Sequence, residues 1–401
     1  MSEGLRTVWE DLLNMKLVMT SAAALLLGTT AVLAGGIERA PHSLSALFEP
    51  GTNFVELSYG HVSPEVTGQD EALFGGSSFG DIADSYNFFG IAYKRQINDN
   101  LSAALIVEQP FGADLLYPTP TAPGEGSVAL GGTAVDVSST TYTAVVRYRM
   151  ENNFGFHAGL RGSRADGNVK LQGMAYGPVN GYEVDLDTDT AWGWTAGVSW
   201  EKPEIAARVS LTYNSDIEHE FDTTESGPLV DPDGPGPIPA VPLLSGTSTT
   251  KVKTPKSWNL EFQTGVAADT LVFGSIRWVD WSSFLVDPEN FVRVTGAGLV
   301  ELEDTTTYTL GVGRKFNENW SGSASFSFEK SGDDLVSPLA PTNGKKGITL
   351  AAIYTRDNMK ITTGINYTKL GDASPETSDV ARAHIRDADL VGVGVKVGFT
   401  F

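Results

Sequence analysis

The chain has 401 residues, no cysteine and a formal net charge of −21. That length suits two or three soluble domains or one large barrel. Without cysteine there is no disulfide scaffold and no thiolate metal site, and so acidic a chain would repel a nucleic-acid backbone. Glycine is abundant at 44 residues, beside 8 Trp, 12 Tyr and 19 Phe.

The first element is the only long apolar run, Leu17 to Leu33, preceded by Lys16 and closed by Val32-Leu33-Ala34. It reads as a secretory signal peptide cut after Ala34. A transmembrane anchor is the alternative, but the run is short, broken by polar residues and followed by no basic stop. Glu3, Glu10 and Asp11 do not suit a signal n-region, and Met15-Lys16 looks like the better start. Residues 1–34 are therefore set apart as extension and signal peptide, 35–52 as a short periplasmic or lumenal hatch, and 53–401 as the folded domain.

From Asn53 onward the chain repeats segments of about ten residues with period-two alternation, the pattern of membrane barrel strands. Strand one, Asn53–Val62, sets Val55, Leu57 and Tyr59 against Glu56, Ser58 and Gly60. Strands two and three are Asn87–Ile97 and Leu101–Gln109. Strands four to six present Tyr142 to Tyr148, Phe154 to Leu160 and Trp192 to Trp200 on one face. Strands seven and eight present Val209, Leu211 and Tyr213, then Trp258, Leu260 and Phe262. Strand nine, Leu271–Asp280, is ambiguous in face. Strands ten to thirteen centre on Tyr308–Val312, Trp320–Glu329, Ile348–Tyr354 and Met359–Tyr367. Strand fourteen, from Val391, alternates valine and phenylalanine with glycine, Lys396 and Thr400 up to Phe401. A terminal Phe on such a strand resembles the signal read by the outer-membrane assembly machinery.

Connections alternate in length. The links at 63–86, 110–136, 166–188, 218–253, 281–304, 331–344 and 370–387 are long. Between them stand tight turns such as Asn98-Asp99-Asn100 and Asn317-Glu318-Asn319. Short periplasmic turns and long extracellular loops are the mark of a transmembrane barrel, and an even strand count puts both ends in the periplasm. The fold expected is all-β: a fourteen-stranded antiparallel barrel in the outer membrane of a Gram-negative bacterium. Tyr142, Trp192 and Tyr213 near outer strand ends, with Phe154, Trp200, Trp320 and Phe401 near inner ones, fit two aromatic belts. Ordinary strand preference for aromatics would give some of the same placement.

Thr254-Pro-Lys-Ser-Trp, followed by Asp269-Thr-Leu-Val-Phe-Gly and then Trp278, Trp281, Ser282 and Phe284, carries a specific likeness. This Pro-x-Ser strand entry and Trp-x-x-Trp-Ser-x-Phe pattern resembles the FadL family of outer-membrane transporters of hydrophobic compounds. Gln109-Pro-Phe-Gly112 and the order of strands ten to thirteen look similar too. The resemblance implies fourteen strands, passive uptake of long-chain fatty acids or other hydrophobic compounds, and an inward kink in strand three. It also implies a longer hatch with an Asn-Pro-Ala motif. Here only Gly35 to Gly51 precedes strand one, and Phe48-Glu49-Pro50-Gly51 stands near that motif's place.

The expected route is a surface hydrophobic groove, lumenal binding, and lateral or periplasmic release. Phe111, Leu115, Leu116, Tyr117, Phe284, Leu285 and Phe291 are candidate groove walls, unless they only pack the loops together. Apolar walls with a few placed polar groups would bind an amphiphile. Arg147, Arg161 and Arg208 could hold a carboxylate head group through paired bonds, or could join a lumen network with Glu56, Glu108 and Glu261. Pro110-Phe111-Gly112 could kink strand three open sideways, since Pro cannot donate a ladder bond; an ordinary strand end would look the same. Asp185, Asp187 and Asp189 read as solvated rim charges, with Ca²⁺ ligation the alternative.

No catalytic site, metal or cofactor is expected. Gly76-Ser-Ser-Phe-Gly80 fits G-x-S-x-G outside the strand–turn–helix elbow that motif needs, and the five histidines lack metal-ligand spacing. Expected partners are the hydrophobic solute, outer-membrane lipid and lipopolysaccharide, and the assembly machinery, with a monomeric barrel. The competing function is a water-filled porin for polar solutes.

Overall fold

The computed structural model describes residues 37–40, 42–230 and 241–401. Among them the backbone closes into one antiparallel barrel of 14 strands. We number these β1 (Asn53–Glu65), β2 (Tyr86–Gln96), β3 (Leu101–Glu108, continuing as Gly112–Leu116), β4 (Ala134–Arg149) and β5 (Phe154–Leu171). There follow β6 (Tyr182–Lys202), β7 (Ala207–Asn214, continuing as Ile217–Ser226), β8 (Gly246–Thr254, continuing as Ser257–Ala267), β9 (Thr270–Val279) and β10 (Thr305–Lys315). The last four are β11 (Trp320–Glu329), β12 (Lys345–Arg356), β13 (Met359–Leu370) and β14 (Asp389–Thr400). β14 closes on β1 from Phe54↔Thr400 to Glu65↔Asp389. Asn53 and Phe401 exchange backbone bonds of 2.8 and 2.9 Å at the seam's inner end. The expected signal peptide lies outside the described residues.

Period-two alternation becomes a lipid-facing band because nothing else covers the outer face. Leu57, Phe89, Leu105, Leu160, Leu310 and Ile365 are all exposed on it. Trp194, Tyr213 and Trp258 touch in sequence across β6, β7 and β8, with ring centroids 5.1 and 4.8 Å apart, and mark the outer interface. On the inner side Trp320 and Tyr354 lie 5.0 Å apart.

Two inner turns repeat one device. In Asn98-Asp99-Asn100 the first side chain accepts from the N–H groups of Asn100 and Leu101, at 3.0 and 2.9 Å. The third donates to Arg149 O of the next hairpin at 2.7 Å. Asn317 and Asn319 do the same, the latter reaching Thr355 O at 2.9 Å. Asn serves here because its short amide both closes a turn and bonds beyond it.

On one side the wall is taller than the sequence pattern suggests. β4 to β8 run well into the links expected at 110–136, 166–188 and 218–253. Above the belt their outer faces meet water, so Glu218, Glu220 and Asp222 stand where a membrane strand would show apolar residues, and polarity mimics a loop. Glu218 and Glu220 pair there with Lys251 and Lys253.

Buried carboxylates fasten the loops. Asp70 accepts from Ser127 Oγ at 2.6 Å and from the N–H groups of Val128 and Ala129 at 2.6 and 3.1 Å. Glu225 of β7 accepts from Tyr182 Oη, the Asn290 and Phe291 N–H groups, and Asn290 Nδ2, at 2.8–3.0 Å. The short helix Glu289–Thr295 is thereby held against the tall wall. Glu225→Ala should release it: protease cleavage within 281–304 should rise sharply while heat-modifiable migration of the barrel stays intact. The charge-assisted bonds lost should cost the loop about 2–4 kcal/mol of local stability.

Candidate functional site

β3 is interrupted where Pro110 stands. Against β4 the register runs to Glu108↔Thr141 and resumes at Gly112↔Ser138, so one more residue lies on β3 than opposite it: a bulge. Ser139 Oγ fills the break, accepting from Phe111 N–H at 3.0 Å and donating to Phe111 O at 2.7 Å. The other side is looser. Pairing of β2 with β3 ends at Ile91↔Val107. The wall is next tied by Asp84 N–H to Asp114 O at 3.1 Å and Leu116 N–H to Ile82 O at 2.8 Å. Within the interval, the Gln109 side chain accepts from Phe89 N–H at 3.0 Å.

The backbone groups that β3 withholds from β2 go to the N-terminal segment. Pro110 O accepts from Arg39 N–H at 2.7 Å and Ala40 N–H at 3.2 Å, and Gly112 N–H donates to Ile37 O at 2.9 Å. The Arg39 guanidinium lies 4.8 Å from the Tyr86 ring centroid, across the interrupted seam. A Cβ on Gly112 would meet Arg39 Nε at 2.6 Å, so a larger residue there must displace the Arg39 side chain.

Polar pairs fix the rest of this segment in the lumen. Glu38 binds Arg277, His42 binds Glu108, and Glu49 accepts from Lys360 Nζ at 2.7 Å. Leu44, Leu47 and Phe48 pack with Phe54, Ile106 and Val145 as a small apolar cluster. Phe48 lies between two guanidinium groups, Arg147 at 4.7 Å and Arg208 at 4.5 Å from its ring centroid.

Above the bulge lies an apolar cavity whose walls include Phe111, Val135, Leu186, Phe221, Val252 and Phe284, with Ile37 entering from the N-terminal segment. Its volume is about 70 Å³. Trp281, fully buried, joins the bulge to the loop after β9: its ring meets Phe111 at 5.9 Å and Phe284 at 6.0 Å, both edge-on.

Of the residues singled out from sequence, Phe111 and Phe284 line this cavity. Leu115 and Tyr117 are buried in loop packing, and Tyr117 Oη donates to Pro338 O at 3.0 Å. Phe291 stacks obliquely on Tyr182 at 4.7 Å, beside the Glu225 clamp. Leu116 and Leu285 are exposed. Pro110-Phe111-Gly112 is a bulge rather than a plain strand end.

Of the three arginines one is paired, and not with a partner expected. Arg147 pairs with Glu201, while Glu56 pairs with Lys396 and Glu108 with His42. Among the described residues, Arg161 and Arg208 have no carboxylate at salt-bridge distance. Asp189 binds His219 rather than standing free at the rim, and no cluster fit to hold a metal occurs among the described residues. Sequence reading passed over Arg39, Arg277 and His219, because a lone basic residue in an acidic chain carries no local signal; the Pro110-Phe111-Gly112 and Trp278-x-x-Trp281 patterns were the pointers to this end of the barrel.

Residues 40–399 match the family model described as "Outer membrane protein transport protein (OMPP1/FadL/TodX)". The chain belongs to this family. It is therefore an outer-membrane β-barrel of a family that transports hydrophobic compounds. Among solved structures, a Pseudomonas aeruginosa FadL homologue superimposes with a TM-score of 0.69 at 13% identity, covering 95% of this chain and 98% of that one. The P. putida toluene transporter TodX gives 0.60 at 14% identity, with 89% and 92% covered. The Ralstonia pickettii toluene transporter TbuX gives 0.59 at 13% identity, with 95% and 97% covered. At such identities these neighbours speak to the fold alone. No curated protein matches the chain.

The contacts of the N-terminal segment set an expectation for this FadL-family barrel. Glu38→Ala leaves the Arg277 guanidinium only Ser257 Oγ and Asn259 Oδ1, and should weaken docking of the N-terminal segment by about 3 kcal/mol, as for other largely buried pairs. Protease added from the periplasmic face should then cut the segment in folded barrels, and ion leak across planar bilayers should rise; an uncut, non-conducting variant would show that the pair does not anchor it.

Proposed function

We propose that the protein carries small hydrophobic compounds passively from the cell surface into the apolar cavity above the β3 bulge, and releases them sideways through the β2–β3 seam. The observation that carries this reading is the juxtaposition of the two. Phe111 is at once a wall of the cavity and the centre of the bulge, and beside it the wall lacks its ladder bonds. An apolar solute loses nothing by leaving a dry cavity for lipid, whereas a hydrated ion gains nothing by entering one. At about 70 Å³ it is smaller than the roughly 150 Å³ apolar cavity that holds benzene, so its walls must give way to admit an aromatic ring.

Residues 37–52 are the hatch in this reading. Ile37, Arg39 and Ala40 occupy the seam from inside, so release requires that Arg39 and the bonds to Pro110 and Gly112 give way. That step is within reach because the contacts are few and individually worth about 1 kcal/mol each.

Arg161 and Arg208 favour a second ligand class, held deeper in the lumen than the lateral route. Cationic side chains in the lumen without a carboxylate partner would suit the head group of a long-chain fatty acid.

Deleting Pro110 and replacing Gly112 by valine removes the extra residue of β3, and should restore a regular strand and displace Arg39. Uptake of labelled toluene or oleate by cells bearing the variant should fall to background while the barrel still assembles. Unchanged uptake by correctly assembled barrels would rule out the lateral route. Stable ion conductance by the wild-type protein, with no uptake of either solute, would instead identify a porin.

A further inference from the structure

A cleft of about 560 Å³ lies between the chain leading into β10 and the link from β11 to β12. Its floor is on the outer face of the barrel. Tyr308 stands opposite Phe328 in the ladder, as Leu310 does opposite Phe326, and Leu310 belongs to the lipid-facing band. Leu302 on one side and Leu335 and Val336 on the other give it apolar flanks. Glu303 ties the two sides, accepting from Asp333 N–H at 3.2 Å. The cleft therefore opens at the outer interface of the membrane, where Tyr308 is exposed.

The cleft backs onto the apolar cavity. Ala340 is in the wall of both. Its neighbour Leu339 lines the cavity, and across from it Val300 lines the cavity while Glu301 lines the cleft. At Ala340 the partition comes down to one residue with a single methyl group for a side chain. Few bonds hold it there: Ala340 N–H to Ser337 O at 3.0 Å, Thr342 N–H to Ala340 O at 2.9 Å, and Tyr117 Oη to Pro338 O at 3.0 Å. The cleft is also acidic. Glu301, Glu303, Asp304 and Asp333 line it against Lys330, and acid prevails even with Lys346 next to Phe328 in the sheet.

Taking the cavity to be the binding site, as above, we propose that this cleft is its entrance: neutral hydrophobic molecules about the size of one aromatic ring settle in it at the outer interface and pass over Ala340 into the cavity. The cleft is several times larger than the roughly 150 Å³ that holds benzene. It therefore receives such a molecule as it stands, whereas the cavity must widen. Its charge sets the selection. A neutral ring is indifferent to the carboxylates around it, but a ligand carboxylate enters against like charge while losing part of its water. Fatty-acid anions, which Arg161 and Arg208 would suit, are turned away here and would have to reach the lumen by another opening.

A thiol placed in the cleft tests this, since the chain has no cysteine of its own. In cells that assemble the full barrel, Val336→Cys should react with a bulky maleimide, and uptake of labelled toluene should then fall to the level of cells without the barrel. Saturating toluene should slow the labelling, and benzoate at the same concentration should not. Adding Glu301→Gln and Asp333→Asn should raise the protection given by benzoate about threefold, the worth of two screened surface charges. If Val336→Cys does not assemble, Leu302→Cys on the opposite flank takes its place. Unchanged toluene uptake by fully labelled barrels would overturn the entrance, and equal protection by toluene and benzoate would overturn the selection. The barrel with Pro110 deleted and Gly112→Val separates this proposal from the lateral route. Loss of uptake there, with uptake kept by labelled Val336→Cys, sinks the entrance alone; uptake kept by both sinks both.

Discussion

A closed barrel has no free strand edge, and that closure lets it stand in lipid at all. Here one stretch of wall departs from it. Pro110 has no N–H to give, the extra residue in β3 turns Phe111 toward Ser139, and β2 loses its partner beyond Ile91. Backbone groups stranded at membrane depth would cost several kcal/mol each. The N-terminal segment meets that demand, with Ile37, Arg39 and Ala40 bonding the groups of Pro110 and Gly112. The seam and the segment therefore depend on each other, and a change in either is felt in both.

The lumen is layered accordingly. Nearest the periplasm, Leu44, Leu47 and Phe48 form an apolar cluster on inward Phe54, Ile106 and Val145. Around and above it runs a belt of charge in which acids of the N-terminal segment meet bases of the wall, Glu38 with Arg277 and Glu49 with Lys360. Such pairs add little net stability over apolar packing, but each becomes expensive if one partner is withdrawn. They thus register the segment's position more than they strengthen the barrel. The cavity lies beyond this belt, so a solute within it faces the seam before it faces the charges.

Much of this was legible in the sequence, for a physical reason. Lipid on one side and water or protein on the other impose a strict period of two, so Val391 to Phe401 or Trp192 to Trp200 can be read directly, and turn chemistry at Asn98 and Asn317 separates the strands. Where the environment ceases to be two-sided, the signal fades. The upper parts of β5 to β8 have water outside, and their polar outer residues read as loop. The site was legible only in part. Pro110-Phe111-Gly112 and Trp281-Ser282-Ser283-Phe284 carried motifs and do meet at the cavity, whereas Leu115, Tyr117 and Phe291 share their apolar character and belong to loop packing. Apolarity alone cannot separate a wall that touches a ligand from one that touches another loop.

His219 shows why a buried polar contact between distant strands is hard to foresee. In sequence it stands between Glu218 and Glu220, which face water and pair with lysines, and nothing local sets it apart. Its role comes from alternation: the residue between two solvent-facing acids must point inward. Its partner Asp189 is thirty positions away, on β6. Along β6 the register with β5 shifts between Ala165↔Asp189 and Gly167↔Leu186, leaving one extra residue on β6 there. A bulge re-aims the side chains beside it, and Asp189 borders this one, bonding both the His219 ring and, at 3.3 Å, the Glu220 N–H. The tall wall thus uses a second bulge, above the membrane, to join β6 to β7 through one buried imidazole, as the bulge in β3 joins the wall beneath it to the N-terminal segment.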